Sequence, residues 1–284
     1  MKRRFSLSLP LILVICLSVI PLLAGLSYAL LYSIGIVGVL NHGLTAEHWK
    51  AAFANNEILY SFFYTIGLSL LSITLCATAG MFIALYFGEK IRKGLASYFI
   101  YLPMAFPSIV AAFFFFQFLS NAGFLSRIFL KLGWIHSIEN FPSLVNDKYS
   151  VGIIVAQFFL TFPVFVLLYL SILSNENIAS LKVVAASLGA NKRQILWRVT
   201  VRALLKKSFP TILLFLVFKL GSYEIPLLLG RSSPETISVL TVRKMQRFNL
   251  MDIPQGYVVA LIYAVLVLLL LIMSLKPRKI SLGV

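Results

Sequence analysis

The sequence predicts an all-α integral membrane protein of about six transmembrane helices, and three observations lead there. Apolar residues make up 60% of the 284 residues and charged residues only 12%, against roughly 25% charged in soluble domains. The apolar residues gather into runs long enough to cross a bilayer. The basic residues, which give a formal net charge of +16, sit between those runs with one exception. A soluble core could not hide so much apolar surface, so lipid is the solvent for most of the chain.

A helix crosses the hydrocarbon with about 20 mainly apolar residues. Six stretches qualify, at about 9–34, 58–87, 97–119, 151–173, 209–229 and 256–275. The first follows Lys2-Arg3-Arg4, and Ser27-Tyr28-Ala29 resembles a cleavage site. Its apolar run continues to about Leu40, longer than the 7–15 residues of a signal h-region, so a retained helix is expected. Cys16 and Cys76 fall inside apolar runs and are expected to be buried, inert thiols. The chain then divides into 1–57 (first span and outer segment), 58–275 (a core of five spans) and a tail, 276–284.

Orientation follows from the basic residues that flank the spans. With the N-terminus inside, the cytoplasmic segments hold 16 of the 25 Lys and Arg residues and the outer segments hold 8. Both termini are therefore expected in the cytoplasm. The charge is a topology signal, and no nucleic-acid partner is expected. The remaining basic residue, Lys219, lies within the fifth span, close to the midplane at about 1.5 Å per residue. A charge there costs about 2.5–3.5 kcal/mol on insertion scales. Glu224 lies nearer the outer face, and Gly221 and Pro226 bracket it, which favours local unwinding toward a cavity. Two readings stay open. Lys219, Tyr223 and Glu224 line a pathway or meet another subunit, or else Lys219 pairs with Glu224 or backbone carbonyls and fixes helix packing.

The most informative connection is the cytoplasmic loop at about 174–208. Ile178, Leu181, Ala185 and Leu188 recur at the spacing of an apolar helix face. Gly189 then interrupts, as a residue free to take positive φ at a helix C-terminus would. A second amphipathic stretch begins at Asn191, with Ile195, Leu196, Val199 and Ala203 on one side and Arg198, Arg202 and Lys206 as a basic stripe. Two short helices joined at a glycine suit contact with a soluble partner. They equally suit an interfacial helix on anionic lipid.

Several chemistries have no footing. No Gly-x4-Gly-Lys-Ser/Thr phosphate loop occurs, so the chain is not expected to bind ATP in that manner. His42, His48 and His136 are scattered over outer segments without cysteine partners, and no metal or other cofactor is expected. The carboxylate chains of a proton-coupled pump are missing as well. The aromatic run Phe113–Phe116 is expected to face lipid and packing surface, and Pro103, Pro107 and Pro163 to set kinks.

The segment Val183-Val184-Ala185-Ala186-Ser187-Leu188-Gly189-Ala190, continuing to Val199-Thr200-Val201, resembles the cytoplasmic signature loop of permease subunits of type I ABC importers. Ala185 and Gly189 match that pattern. Val183 stands where the family has Glu, Val184 where it has the first Ala, and Arg202 where it has Pro. Leu44-Thr45-Ala46-Glu47-His48-Trp49 is similar to the family's segment before the second helix, and Leu102-Pro103 with Phe106-Pro107-Ser108 to its third helix. Phe162-Pro163 is similar to the fourth, and Gly221-Ser222-Tyr223-Glu224-Ile225-Pro226 to the fifth in the polyamine, thiamine and iron(III) branch. The likeness spans roughly residues 40–275.

The resemblance implies a non-enzymatic transport subunit of the bacterial inner membrane. Residues 183–190 would dock on a cytoplasmic ATPase subunit, one of a pair. A second permease subunit would complete the pathway, and an external binding protein would deliver a small solute. The rival readings are a stand-alone secondary transporter, which would need coupling-ion residues and usually inverted repeats, and a membrane scaffold protein.

Overall fold

The computed structural model describes residues 9–39, 43–54, 56–94, 96–175 and 178–275. Lys2-Arg3-Arg4, Leu40, His42 and the tail 276–284 with Lys276, Arg278 and Lys279 lie outside the described residues. Within them every regular element is helical: α1 (Leu9–Ser33), α2 (Glu47–Ala54), α3 (Asn56–Lys93), α4 (Ala96–Tyr101), a 3-10 turn (Leu102–Ala105), α5 (Ser108–Leu119), α6 (Phe124–Lys131) and a second 3-10 turn (Ile138–Asn140). There follow α7 (Val151–Asn175), α8 (Ile178–Ser187), α9 (Lys192–Gln194), a π-helical stretch (Ile195–Val201), α10 (Arg202–Leu220), α11 (Glu224–Leu229), α12 (Ile237–Met245) and α13 (Asp252–Leu275).

Five apolar helical stretches are long enough to cross a membrane: Leu13–Ser33, Asn56–Gly88, Ser108–Lys131, Val151–Ser174 and Asp252–Met273. The remaining span, the fifth in chain order, is divided between the apolar part of α10 and α11. The chain is thus an all-α membrane protein of about six spans.

The structure corrects the sequence reading at four places. The third span is not one kinked helix. Pro103 opens a 3-10 turn, and Phe106, held extended at φ −83°, ψ 125° by the following Pro107, separates it from α5. Pro163, by contrast, is accommodated inside an unbroken α7. The second amphipathic stretch is not a short separate helix. Gln194, Ile195, Val201 and Arg202 all keep right-handed helical angles, so one helix runs from Lys192 to Leu220 and into the membrane. Cys16 is exposed on α1 and only Cys76 is buried, because α1 presents most of its surface to lipid. His48 is a buried residue of α2, not a loop residue.

The described chain forms two compact units. One joins the residues up to Leu59 with Leu240–Leu266. In it Tyr32 stacks on Tyr257 at 4.5 Å, and Tyr28 meets the edge of the same ring. Trp49 Nε1 donates to Ser33 Oγ at 3.2 Å, which fastens α2 to the end of α1. Glu57 pairs with Arg243 and, at 3.7 Å, with Lys244. Lys244 also donates to Gln255 Oε1 at 3.2 Å, and Arg247 pairs with Asp252 at 3.1 Å.

The other unit is built round α7, which packs against α5, α10 and α11. Ile153, Ala156, Phe165, Val166 and Tyr169 of α7 are wholly buried. Facing inward on α3 are Ser61, Thr65, Ser69, Ser72, Cys76 and Ala84, all buried and all small. Small side chains let helix backbones approach closely where lipid supplies no hydrophobic drive. Gly80 lies on the same face, and a Cβ there would stand 2.7 Å from Phe165 Cβ. Thr65 Oγ1 donates to Ser61 O and accepts the Ile237 N–H at 2.8 Å, so it anchors the start of α12.

Gly80→Val is therefore expected to force α3 off α7 and to lower stability by about 1–3 kcal/mol. Gly67→Val, on the same helix where an added Cβ meets nothing within 4 Å, is expected to change it by less than about 0.5 kcal/mol. Thermal unfolding of the two variants in detergent separates these outcomes.

Candidate functional site

Two regions carry the residues singled out from the sequence. The first is the α8–α9 corner. Leu188, Gly189 and Ala190 donate their N–H groups to Val184, Ala186 and Ala185 at 3.0–3.1 Å. The last two bonds form a Schellman closure with Gly189 at φ +84°. Asn191 then caps the next helix. Its Oδ1 accepts the Gln194 N–H, and the Gln194 side chain accepts the Asn191 N–H, both at 2.9 Å. With both helix ends closed by their own hydrogen bonds, the corner has little freedom to flex.

This corner presents apolar side chains that no described residue covers. Ile178 is buried and Ala185 half-buried, but Leu181, Val183, Val184 and Leu188 are exposed, Leu188 at 82%. The expected apolar face thus packs inward only at its start. Ser187 turns its hydroxyl to Val184 O at 2.8 Å. Beyond the corner the basic stripe Arg198, Arg202 and Lys206 is exposed, while Ile195, Leu196, Val199 and Ala203 are half-buried against the chain. The π-helical stretch, which the sequence reading did not foresee, contains Thr200, whose buried hydroxyl donates to Ile195 O at 3.3 Å.

The second region lies around Lys219. The α10 helix ends at Leu220, and three residues pass before α11 begins at Glu224. Hydrocarbon tolerates such an interruption only where the freed backbone groups find partners. Ser238 Oγ supplies one, donating to Ser222 O at 2.5 Å. Just before the break, Lys219 turns inward and is only 6% exposed. Its Nζ donates to Ser72 Oγ at 2.9 Å, to Thr161 Oγ1 at 3.2 Å and, at the limit of 3.5 Å, to Gln157 O. These partners come from α3 and α7, so the ammonium ties three helices together.

Lys219 and Glu224 are not paired. Glu224 is exposed and Tyr223 half-buried, and the interruption of the helix falls between Lys219 and Glu224. Beside Lys219 lies a cavity of about 240 Å³. Ser108, Gln157, Thr161 and Ser222 face it together with Lys219. Phe106, Phe215 and Phe218 supply apolar wall, and neither Tyr223 nor Glu224 takes part. Ser72, Gln157 and Thr161 were missed from sequence. For Ser72 a signal existed: small residues recur at helical spacing along α3. Gln157 and Thr161 stand in an ordinary apolar span, with nothing local to mark them.

Because Lys219 depends on neutral oxygens, Ser72→Ala is expected to cost about 1.5–3 kcal/mol, the worth of a hydrogen bond to a charged group. Glu224→Gln is expected to change stability by less than about 0.5 kcal/mol. Unfolding in mild detergent measures both. The opposite order would restore the Lys219–Glu224 pair.

The description "Binding-protein-dependent transport system inner membrane component" belongs to the family whose model matches residues 76–277, more than half the chain. Among solved structures, a chain of a bacterial ABC transporter involved in the import of the acidic polysaccharide alginate matches with a TM-score of 0.67. The match covers 95% of this chain and 94% of that one at 20% identity, and so carries the fold alone. A comparison with curated protein sequences found no match. The broken third and fifth spans and the capped α8–α9 corner fall within the matched region, and the chain belongs to the family of binding-protein-dependent transport system inner membrane components, the membrane-spanning permease subunits of ABC importers.

Proposed function

We propose that the α8–α9 corner is the surface through which a cytoplasmic ATPase drives this permease, in a bacterial inner membrane with both termini inside. The observation that carries the reading is the exposed apolar edge of Leu181, Val183, Val184 and Leu188 on a corner closed by its own hydrogen bonds. An apolar edge of this kind on a stiff support fits a groove on a soluble protein. The continuous helix from Lys192 to Leu220 joins that corner to the fifth span, so force applied at the corner reaches the membrane interior without crossing a hinge. A pair of ATPase subunits, a second permease subunit and an external binding protein complete the assembly in this reading. Lys219 belongs to the pathway, whereas Tyr223 and Glu224 serve the entrance or the contact with the second subunit.

Gly189 tests the coupling. Among the described residues a Cβ at this position meets nothing within 4 Å, so the cost of Gly189→Val is backbone strain, about 1–3 kcal/mol at φ +84°. The spans are expected to insert normally while ATPase co-purification falls or hydrolysis uncouples from uptake. Val183→Glu, which restores the family residue, is expected to retain or strengthen ATPase binding. Full ATPase binding and full uptake in Gly189→Val would assign the corner to the lipid surface instead.

Topology is checked separately in a background lacking Cys16 and Cys76. Ser187 and Ser233 are both exposed. Ser187→Cys is expected to react only with thiol reagents that reach the cytoplasm, and Ser233→Cys with impermeant reagents applied outside. Labelling of position 187 in intact cells by an impermeant reagent would overturn the orientation.

A further inference from the structure

Two described lysines are buried, and their charges are met differently. Lys244, 1% exposed, has the Glu57 carboxylate 3.7 Å away. Lys219, 6% exposed, has two hydroxyls and one carbonyl, and among the described residues no carboxylate lies within 4 Å of it. Neutral acceptors solvate an ammonium but leave its full positive charge in place. A buried charge of this kind is costly until an opposite charge meets it.

The surroundings show where that opposite charge would sit. Lys219 faces the cavity of about 240 Å³, below the range of roughly 300–1,000 Å³ usual for drug-sized ligands, a size that favours a small guest. The long 3.5 Å contact to Gln157 O is the weakest of the three and the one a stronger acceptor would displace. Thr161 Oγ1 accepts from the ammonium and keeps its own hydrogen to donate. Ser108 and Ser222 bring two further hydroxyls to the same cavity. Glu224, the nearby acid whose charge would oppose an anion, is outside it.

We propose that Lys219, Thr161, Ser108 and Ser222 form a binding site for a small anion, an oxyanion or a small carboxylate, on the translocation route. The proposal rests on the permease reading and names the substrate class of that same route. Lys219 itself is only 6% exposed, and burial strengthens its attraction to an opposite charge.

The test uses the full chain in mild detergent, with thermal unfolding measured in inorganic phosphate, sulfate or citrate at constant ionic strength. Putrescine and glycerol serve as cationic and neutral probes. At least one anion is expected to raise the melting temperature, since a ligand that binds only the folded state stabilises it by RT ln(1 + [L]/Kd). The anion-induced shift is the readout, because removal of a buried charge can itself raise the melting temperature. That shift is expected to vanish in Lys219→Met, to persist in Lys219→Arg, and in Thr161→Val to correspond to about tenfold weaker binding. A shift with none of the three anions, a shift only with putrescine, or one that survives in Lys219→Met overturns the site. An anion shift in the free chain that disappears in the assembled complex also overturns it, by giving the missing charge to another subunit's carboxylate. ATPase co-purification is scored independently. A chain that brings down an ATPase but shows no anion shift refutes the anion site and leaves the permease reading standing.

Discussion

Hydrocarbon offers no partner to an open backbone group, and each one left unsatisfied costs several kcal/mol. The architecture turns on how two interruptions meet that constraint. At the first, Pro103 and Pro107 lack N–H groups of their own, and the Phe106 N–H turns back to Pro103 O. At the second, Gly221 and Ser222 keep short-range bonds to Val217 and Lys219 carbonyls, while Ser238 reaches Ser222 O. Both breaks border the same cavity, through Pro103 and Phe106 on one side and Ser222 on the other. The places where regular helix is abandoned are therefore the places where room is made inside the unit.

Much of this was legible before any coordinate. The six spans are read from apolar run length alone, because in lipid run length is itself the physical requirement. Gly189 was legible as a left-handed cap because few other residues take positive φ without strain. The broken third span was not. Two prolines four residues apart are compatible with a kink or a full interruption, and tertiary packing decides between them. Nor could the sequence say whether the second amphipathic stretch ends before the membrane. Lys206 and Lys207 look like a boundary, yet the helix passes through them and through Pro210 unbroken.

The surroundings of Lys219 were only half legible. A lysine at mid-span announces itself, and Glu224 five residues later offers an obvious partner on paper. Five residues along an unbroken helix would put the two on different faces, and the interruption at Gly221 separates them further. The true partners, Ser72 and Thr161, lie 147 and 58 positions away in sequence. Hydroxyls of this kind are commonplace in spans, where they often bond their own helix, as Thr74 and Thr78 do here. Only tertiary proximity distinguishes the ones that turn outward to a neighbour.

The unbroken helix from Lys192 to Leu220 makes the capped corner and Lys219 parts of one rod, with roughly 40 Å between its ends at about 1.5 Å per residue. A rod of that length acts as a lever. A tilt of a few degrees about a pivot near its middle would carry its two ends in opposite directions by an ångström or more, and Lys219 lies almost at the tip. Ser72 and Thr161 belong to other helices, so such a tilt would stretch the ammonium's hydrogen bonds to them before it disturbed any bond within the rod. The grip on the charge would loosen first.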